Sequence, residues 1–143
     1  MFSKILLATD GSEYAKRAME QTIKMIAPYS DQVTVDLVYC IDGDQSKADI
    51  LKYGDSQIAD VKRKEMFASS IDYLEQYEVT ANALFLHGES PAKAILKHVK
   101  ANEGQYDCVV VGSRGRNEFQ TLVLGSVSHK LAKYVDVPLL IVK

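Results

Sequence analysis

Tyr106-Asp107-Cys108-Val109-Val110-Val111 runs into Gly112-Ser113-Arg114-Gly115, and after nine intervening residues the chain reads Gly125-Ser126-Val127-Ser128. Cys108 to Val111 is unbroken apolar sequence, which suits a strand buried on both faces, as the strands of a parallel sheet under helices are. Gly112 and Gly115 mark the turn that follows. Without a Cβ they let main-chain N–H groups come close to a ligand. Gly125, with the hydroxyls of Ser126 and Ser128, opens the next helical stretch at its electropositive end. Strand, glycine turn and helix N-terminus together select for anions. The segment reads as a phosphate cradle in which Gly112, Gly115, Gly125, Ser126 and Ser128 supply N–H and O–H donors.

Outward from this segment the chain alternates between two periods. Lys4 to Thr9 reads as a first strand, and Asp10-Gly11-Ser12 as a tight turn whose Ser12 caps a helix. Ala15, Ala18, Met19, Thr22, Ile23 and Ile26 recur at helical spacing up to Ala27, where Pro28 stops them. Val33 to Ile41 is a second strand. Asp42 to Gly54 is polar and aperiodic and reads as a mobile loop. From about Ser56 the set Ile58, Val61, Met66, Ala68, Ile71 and Leu74 suggests a long second helix, and Val79 to Leu86 is a third strand. Ser90 as N-cap and Pro91 at the first helical position start a third helix, with Ala94, Ile95, Leu96 and Val99 as its buried stripe. Cys108 to Val111, a helix from about Ser126 to Tyr134, and Pro138 to Val142 complete the order.

Strands alternating with helices of this length imply right-handed crossovers and an α/β fold: a doubly wound, five-stranded parallel sheet with helices on both faces. The chain contains no linker-like or low-complexity tract, so residues 1–143 are expected to form a single domain. A chain of this length buries roughly two-thirds of its unfolded surface, enough for a core without staples. In such sheets ligands bind beyond the carboxyl ends of the strands, where the strand order reverses.

The formal net charge is −2, with acids and bases interspersed, and gives no global attraction for nucleic acid or an acidic membrane. Neither is expected as a partner. Phosphate attraction has to be local. Cys40 and Cys108 both sit in apolar runs and read as small core hydrophobes, a usage that fits a reducing cytoplasm. The N-terminus moves directly into a strand, and nowhere do eighteen apolar residues run together, so neither secretion nor a membrane span is indicated.

The spacing G-x2-G-x9-G-[ST] between a strand and a helix resembles the ATP-binding branch of the universal stress protein family. The likeness extends to Ile5-Leu6-Leu7-Ala8-Thr9-Asp10-Gly11-Ser12, to Leu86-His87-Gly88-Glu89-Ser90-Pro91, and to Val137-Pro138-Leu139-Leu140-Ile141-Val142, and so covers essentially the whole chain. The resemblance implies strand order 3-2-1-4-5, which places strand one beside strand four and the reversal between Asp10 and Gly112. It implies ATP as ligand, with Mg accompanying the nucleotide. It also implies that Ala8, Thr9, Cys40, Val111 and Val127 form an apolar slot whose backbone groups read the edges of adenine. Asp10 accepts from ribose hydroxyls or holds a metal through a phosphate; it is equally placed to act as a helix N-terminal anion, and both roles are open to it.

Other chemistries lack their residues. There is no G-x-x-x-x-G-K-[ST], no G-x-G-x-x-G after the first strand and no G-x-S-x-G elbow, which removes P-loop, dinucleotide and Ser-hydrolase readings. Arg114 and Arg116 flank the turn as ordinary solvated arginines. His87 closes an apolar strand and is read as structural more readily than as a general base, and no catalytic residue is assigned. His98 and His129 lie in helices without a further ligand at metal spacing. The expectation is an adenine-nucleotide-binding sensor or regulatory module of a stress response. A slow ATPase or autophosphorylating enzyme with Mg, and an interaction scaffold with an empty pocket, are the rivals. The apolar last strand at a sheet edge needs a cover, which pairing with its twin in a homodimer or a loop of the same chain supplies; the resemblance implies the homodimer.

Overall fold

β1 (Lys4–Thr9) is the central strand, with Ile5, Leu6 and Leu7 wholly excluded from solvent. The computed structural model describes residues 1–41, 51–52, 54, 56–88, 90–114 and 125–143. The segment expected as a mobile loop, 42–54, falls outside these except for Leu51, Lys52 and Gly54. After β1 come α1 (Glu13–Ile26), a short 3-10 segment (Ala27–Gln32) carrying Pro28, β2 (Thr34–Ile41), α2 (Ser56–Glu75), β3 (Thr80–His87), α3 (Pro91–Ala101), β4 (Cys108–Gly112), α4 (Ser126–Tyr134) and β5 (Leu139–Val142). All strand pairs are parallel and the order is β3-β2-β1-β4-β5, as expected.

Alternation along the strands divides the interior into two cores. Ile5, Leu7, Val35, Leu37, Tyr39, Cys108 and Val110 face α1 and α2, where Ala18, Ile23, Ile26, Phe67 and Leu74 cover them. Leu6, Ala8, Val38, Val109 and Val111 face α3 and α4, whose Ile95, Val99 and Leu131 close that side. Burial in the first core pushes the Cys108 thiol pKa up, so the residue behaves as the apolar filler it was read to be, and Cys40 and Cys108 form no disulfide.

Local signals set the helix starts. Ser12 Oγ accepts from Ala15 N–H at 3.1 Å, and Ser90 Oγ accepts from Lys93 N–H at 3.3 Å with Pro91 just behind it. α2 departs in part from the expected set: Leu74 is buried and Met66 and Ile71 are half-buried against the core, but Ile58 and Val61 are 45% and 52% exposed and Ala68 is exposed, whereas Arg63 and Phe67, outside the set, are buried. The packed face is chosen by rings: Phe67 meets Tyr39 at 5.8 Å and Phe85 at 4.6 Å between centroids. Among the described residues no helix is long and apolar enough to cross a membrane.

Candidate functional site

β1 and β4 are neighbours in register, Ile5 with Cys108 and Leu7 with Val110, while the chain leaves β1 toward β2 on the opposite side. The order therefore reverses between them. Beyond their carboxyl ends lie the turn Asp10-Gly11-Ser12 and, after Gly112 closes β4, Ser113 and Arg114.

The first turn is held by its own side chains. Asp10 Oδ1 accepts from Ser12 N–H at 2.9 Å, and Thr9 Oγ1 accepts from Gly11 N–H at 3.3 Å. With the Ser12 cap, this sets the half-buried Asp10 carboxylate at the start of α1, where the helix dipole favours an anion. One oxygen is thus occupied by the turn. Gly11 has φ +78°, the left-handed region, which explains a glycine between Asp10 and Ser12.

Four of the residues expected to line a base slot lie on the same side of the sheet. Ala8 and Val111 are buried, Cys40 and Val127 are half-buried, and all belong to the apolar cluster under α3 and α4. Cys40 Sγ donates to the Pro91 carbonyl at 3.7 Å, which brings the end of β2 against the start of α3. Thr9, the remaining slot residue, ends β1 level with Tyr39 of β2.

On the phosphate side the structure separates residues that bind the fold together from those that face outward. Gly112 lies against α1: a Cβ there would stand 2.9 Å from the Tyr14 carbonyl carbon and 3.0 Å from its oxygen. Its missing side chain serves the packing of α1 on β4. The carbonyl of Ser113, a residue sequence reasoning passed over, accepts from Gly125 N–H at 2.6 Å and from the Ser128 hydroxyl at 2.8 Å. Ser113 N–H in turn donates to the Val142 carbonyl at 2.7 Å. The Gly125 N–H and the Ser128 hydroxyl, expected as ligand donors, are committed to this clasp. Its signal in the sequence was only a serine inside a turn. The exposed Ser126 and the half-buried Val127 open α4, whose N-cap Gly125 contributes no side-chain bond. Gly115 and Arg116 lie outside the described residues.

A recess of about 270 Å³ opens beside the clasp, lined by Tyr14, Ser113, Arg114 and Lys143. Sequence gave no reason to group Tyr14 or Lys143 with the turn. His87 is exposed at the end of edge strand β3, opposite Ile41. Among the described residues no three His, Cys, Asp or Glu side chains converge as a metal site.

The family model described as Universal stress protein family matches residues 1–143. Universal stress protein YxiE of Bacillus subtilis is 30% identical over 152 residues, and the match covers 100% of both chains. Among solved structures, hypothetical protein MJ0577 superposes with a TM-score of 0.84 at 24% identity, covering 100% of this chain and 96% of its own. A universal stress protein family protein from Arabidopsis thaliana with AMP bound has a TM-score of 0.65 at 21% identity, over 99% and 91% of the two chains. The universal stress protein from Archaeoglobus fulgidus in complex with dAMP has a TM-score of 0.67 at 17% identity, over 100% and 98%.

Proposed function

Because the chain belongs to the universal stress protein family, we propose that it binds an adenine nucleotide, ATP foremost, at the carboxyl ends of β1, β2 and β4, as a nucleotide-dependent regulatory module of a stress response. The observation that carries this reading is the presence of Ala8, Cys40, Val111 and Val127 in one apolar cluster on the side of the sheet where α4 begins with a glycine N-cap. A flat aromatic base suits an apolar slot, and its phosphates suit main-chain N–H groups at a helix N-terminus. The AMP and dAMP held by proteins of similar fold are ligands of this class.

In this reading Ser126 and Val127 donate main-chain N–H groups to the phosphates, joined by Gly115 through its place in the motif. The clasp of Ser113, Gly125 and Ser128 fixes the helix start on which those donors stand. Asp10 keeps one oxygen on Ser12 N–H and turns the rest of its carboxylate to ribose hydroxyls or to a Mg ion carried by the phosphates. Thr9 offers main-chain groups to the base. The protein works in the cytoplasm as a homodimer joined through β5.

Calorimetry with ATP on the wild type and on Ser126→Glu tests the placement. An acid in the first turn favours α4 through the helix dipole, by about 0.3–1 kcal/mol, so the fold holds while the carboxylate stands against the phosphates. Affinity for ATP should fall by roughly tenfold or more, the size of one lost charge-assisted hydrogen bond, with no fall in Tm. Unchanged affinity would remove the phosphates from α4, and absence of heat with ATP and AMP at millimolar concentration would end the reading.

A further inference from the structure

α3 and α4 lie side by side over one face of the sheet, sharing the core of Ile95, Val99 and Leu131. Their sequences, PAKAILKHVKA and SVSHKLAKY, contain five lysines and no acid. The chain as a whole has 19 Asp and Glu against 17 Lys and Arg, so its formal charge of −2 conceals a segregated basic face. The other two long helices show the contrast: α1 and α2 mix both signs and carry ion pairs within themselves, Arg17 with Glu13, Lys62 with Glu65 and Lys64 with Asp60. On the α3 and α4 face Lys97, Lys100, Lys130 and Lys133 are exposed, and among the described residues none of them joins an ion pair. The nearest acids along the described chain, Glu103 and Asp136, lie past the C-terminal ends of the two helices.

We propose that this face binds single-stranded nucleic acid. Lys93, Lys97 and Lys100 recur at i, i+4 and i+7, a row about 10 Å long on one side of α3. The row and the lysines of α4 form a positive track for a phosphate backbone. Beside the track stands an aromatic platform. The Tyr134 ring is 57% exposed, with Lys133 Nζ 5.3 Å from its centroid, and the exposed His129 precedes it by just over one helical turn. Basic side chains interleaved with exposed rings are the chemistry that holds an unpaired strand, phosphates on the lysines and bases on the rings. An anionic membrane would call for exposed aliphatic side chains to enter the acyl boundary. Among the described residues the exposed large aliphatic side chains, Met1, Leu51, Ile58 and Val61, all lie elsewhere. The charge argument that counts against nucleic acid as a partner of the average surface does not apply to this face.

Fluorescence anisotropy of labelled 12-nucleotide oligouridylate, as RNA and as deoxyuridine DNA, with the full chain in 50 mM salt tests the proposal. Binding of either probe is expected at micromolar protein, weakening as salt rises. The variant Lys97→Gln/Lys100→Gln/Lys130→Gln/Lys133→Gln should lose at least tenfold in affinity, and its log–log salt slope should flatten by about 0.7 for each phosphate contact removed. A control with the same charge change on the opposite helices, Lys16→Gln/Lys24→Gln/Lys62→Gln/Lys64→Gln, should bind as the wild type does. Tyr134→Ala should weaken binding about fivefold or more while leaving the salt slope unchanged, the mark of lost stacking. Thermal melts check that each variant is folded, and all four substituted lysines of the basic face are exposed. No binding of either probe at 100 μM protein, or equal loss in the two quadruple variants, overturns the proposal. Binding to phosphatidylglycerol vesicles without binding to either oligonucleotide overturns it in favour of a membrane.

Discussion

At Gly112 the space a side chain would fill belongs to α1. The Tyr14 carbonyl carbon and oxygen stand 2.9 and 3.0 Å from where a Cβ would be, and both are main-chain atoms that move only with the helix. Gly112→Ala should therefore cost about 1–3 kcal/mol, as overpacking against rigid neighbours does, and lower Tm by roughly 3–9 °C in a calorimetric scan. A Tm within a degree of the wild type would show that α1 slides freely on β4. The sequence announces a glycine here but not its reason, because a glycine before an anion-binding turn and a glycine under a helix look alike. Gly11 was legible: Asp-Gly-Ser after a strand signals a left-handed turn, and φ is +78°. That Ala8, Cys40, Val111 and Val127 join the apolar interior was legible residue by residue, since each lies near the end of a strand or the start of a helix. The use of Gly125 and Ser128 was not, because their acceptor, the Ser113 carbonyl, is up to 15 residues away. Local chemistry reads from sequence; donors spent across a turn do not.

Between elements, the largest feature the sequence hid is a polar cluster at the amino ends of the strands. Asp36, buried in β2, accepts from the Tyr106 hydroxyl at 2.6 Å and from Asn82 Nδ2 at 3.0 Å, with Lys4 Nζ 3.6 Å away. The Tyr106 hydroxyl gives its one proton to Asp36, so the 2.9 Å contact with His98 requires the imidazole to donate Nε2–H. β1, β2, β3 and α3 are tied at one point. Burial first, then the bond to Asp36 and its charge, push the Tyr106 pKa up. A raised phenol contributes its stability in full below the unfolded value near pH 10 and loses it as pH climbs toward the folded value. Tyr106→Phe should be less stable than the wild type by about 1–3 kcal/mol at pH 8 in urea melts, and the gap should narrow above pH 10. A gap that stays constant through pH 11 would mean the phenol is not held neutral. Asp107 works in the opposite direction: the Lys4 and Ser3 N–H groups, at 2.9 and 2.7 Å, hold its carboxyl below the ordinary range. Its contribution is complete above about pH 4 and vanishes as pH falls through the lowered value, so Asp107→Asn should flatten the acid limb of stability. Identical acid limbs in the two proteins would remove Asp107 from that account. The capped helices α1 and α3 were legible from Ser12 and Ser90. The inner face of α2 was legible at Met66, Ile71 and Leu74 but not at Phe67, which is selected by rings on β2 and β3 that sequence spacing along α2 cannot show.

At the scale of the whole molecule the strand order leaves β3 and β5 at the edges, and β5 is the apolar one left partly open. Leu139, Leu140, Ile141 and Val142 are all only half-buried in the single chain, although every side chain in the strand is apolar. Leu140 and Val142 pack toward α1, and Leu139 and Ile141 toward the other face, so the strand is covered on neither side as β1 and β4 are. It pairs with β4 alone, and its outer row of N–H and C=O groups has no strand beside it among the described residues. An uncharged, apolar edge of this kind invites a strand, and a second copy of β5 running antiparallel supplies an identical apolar partner under twofold symmetry. That is the physical case for the homodimer. Leu140→Lys places a charge in the pairing row while its methylene stem still reaches back over the core, so the fold is kept and the pairing is opposed. Sedimentation velocity at about 20 μM should show the wild type as dimer and the variant as monomer, with unchanged far-ultraviolet circular dichroism. A wild type that sediments as monomer, or a folded variant that still sediments as dimer, would place any association on another surface.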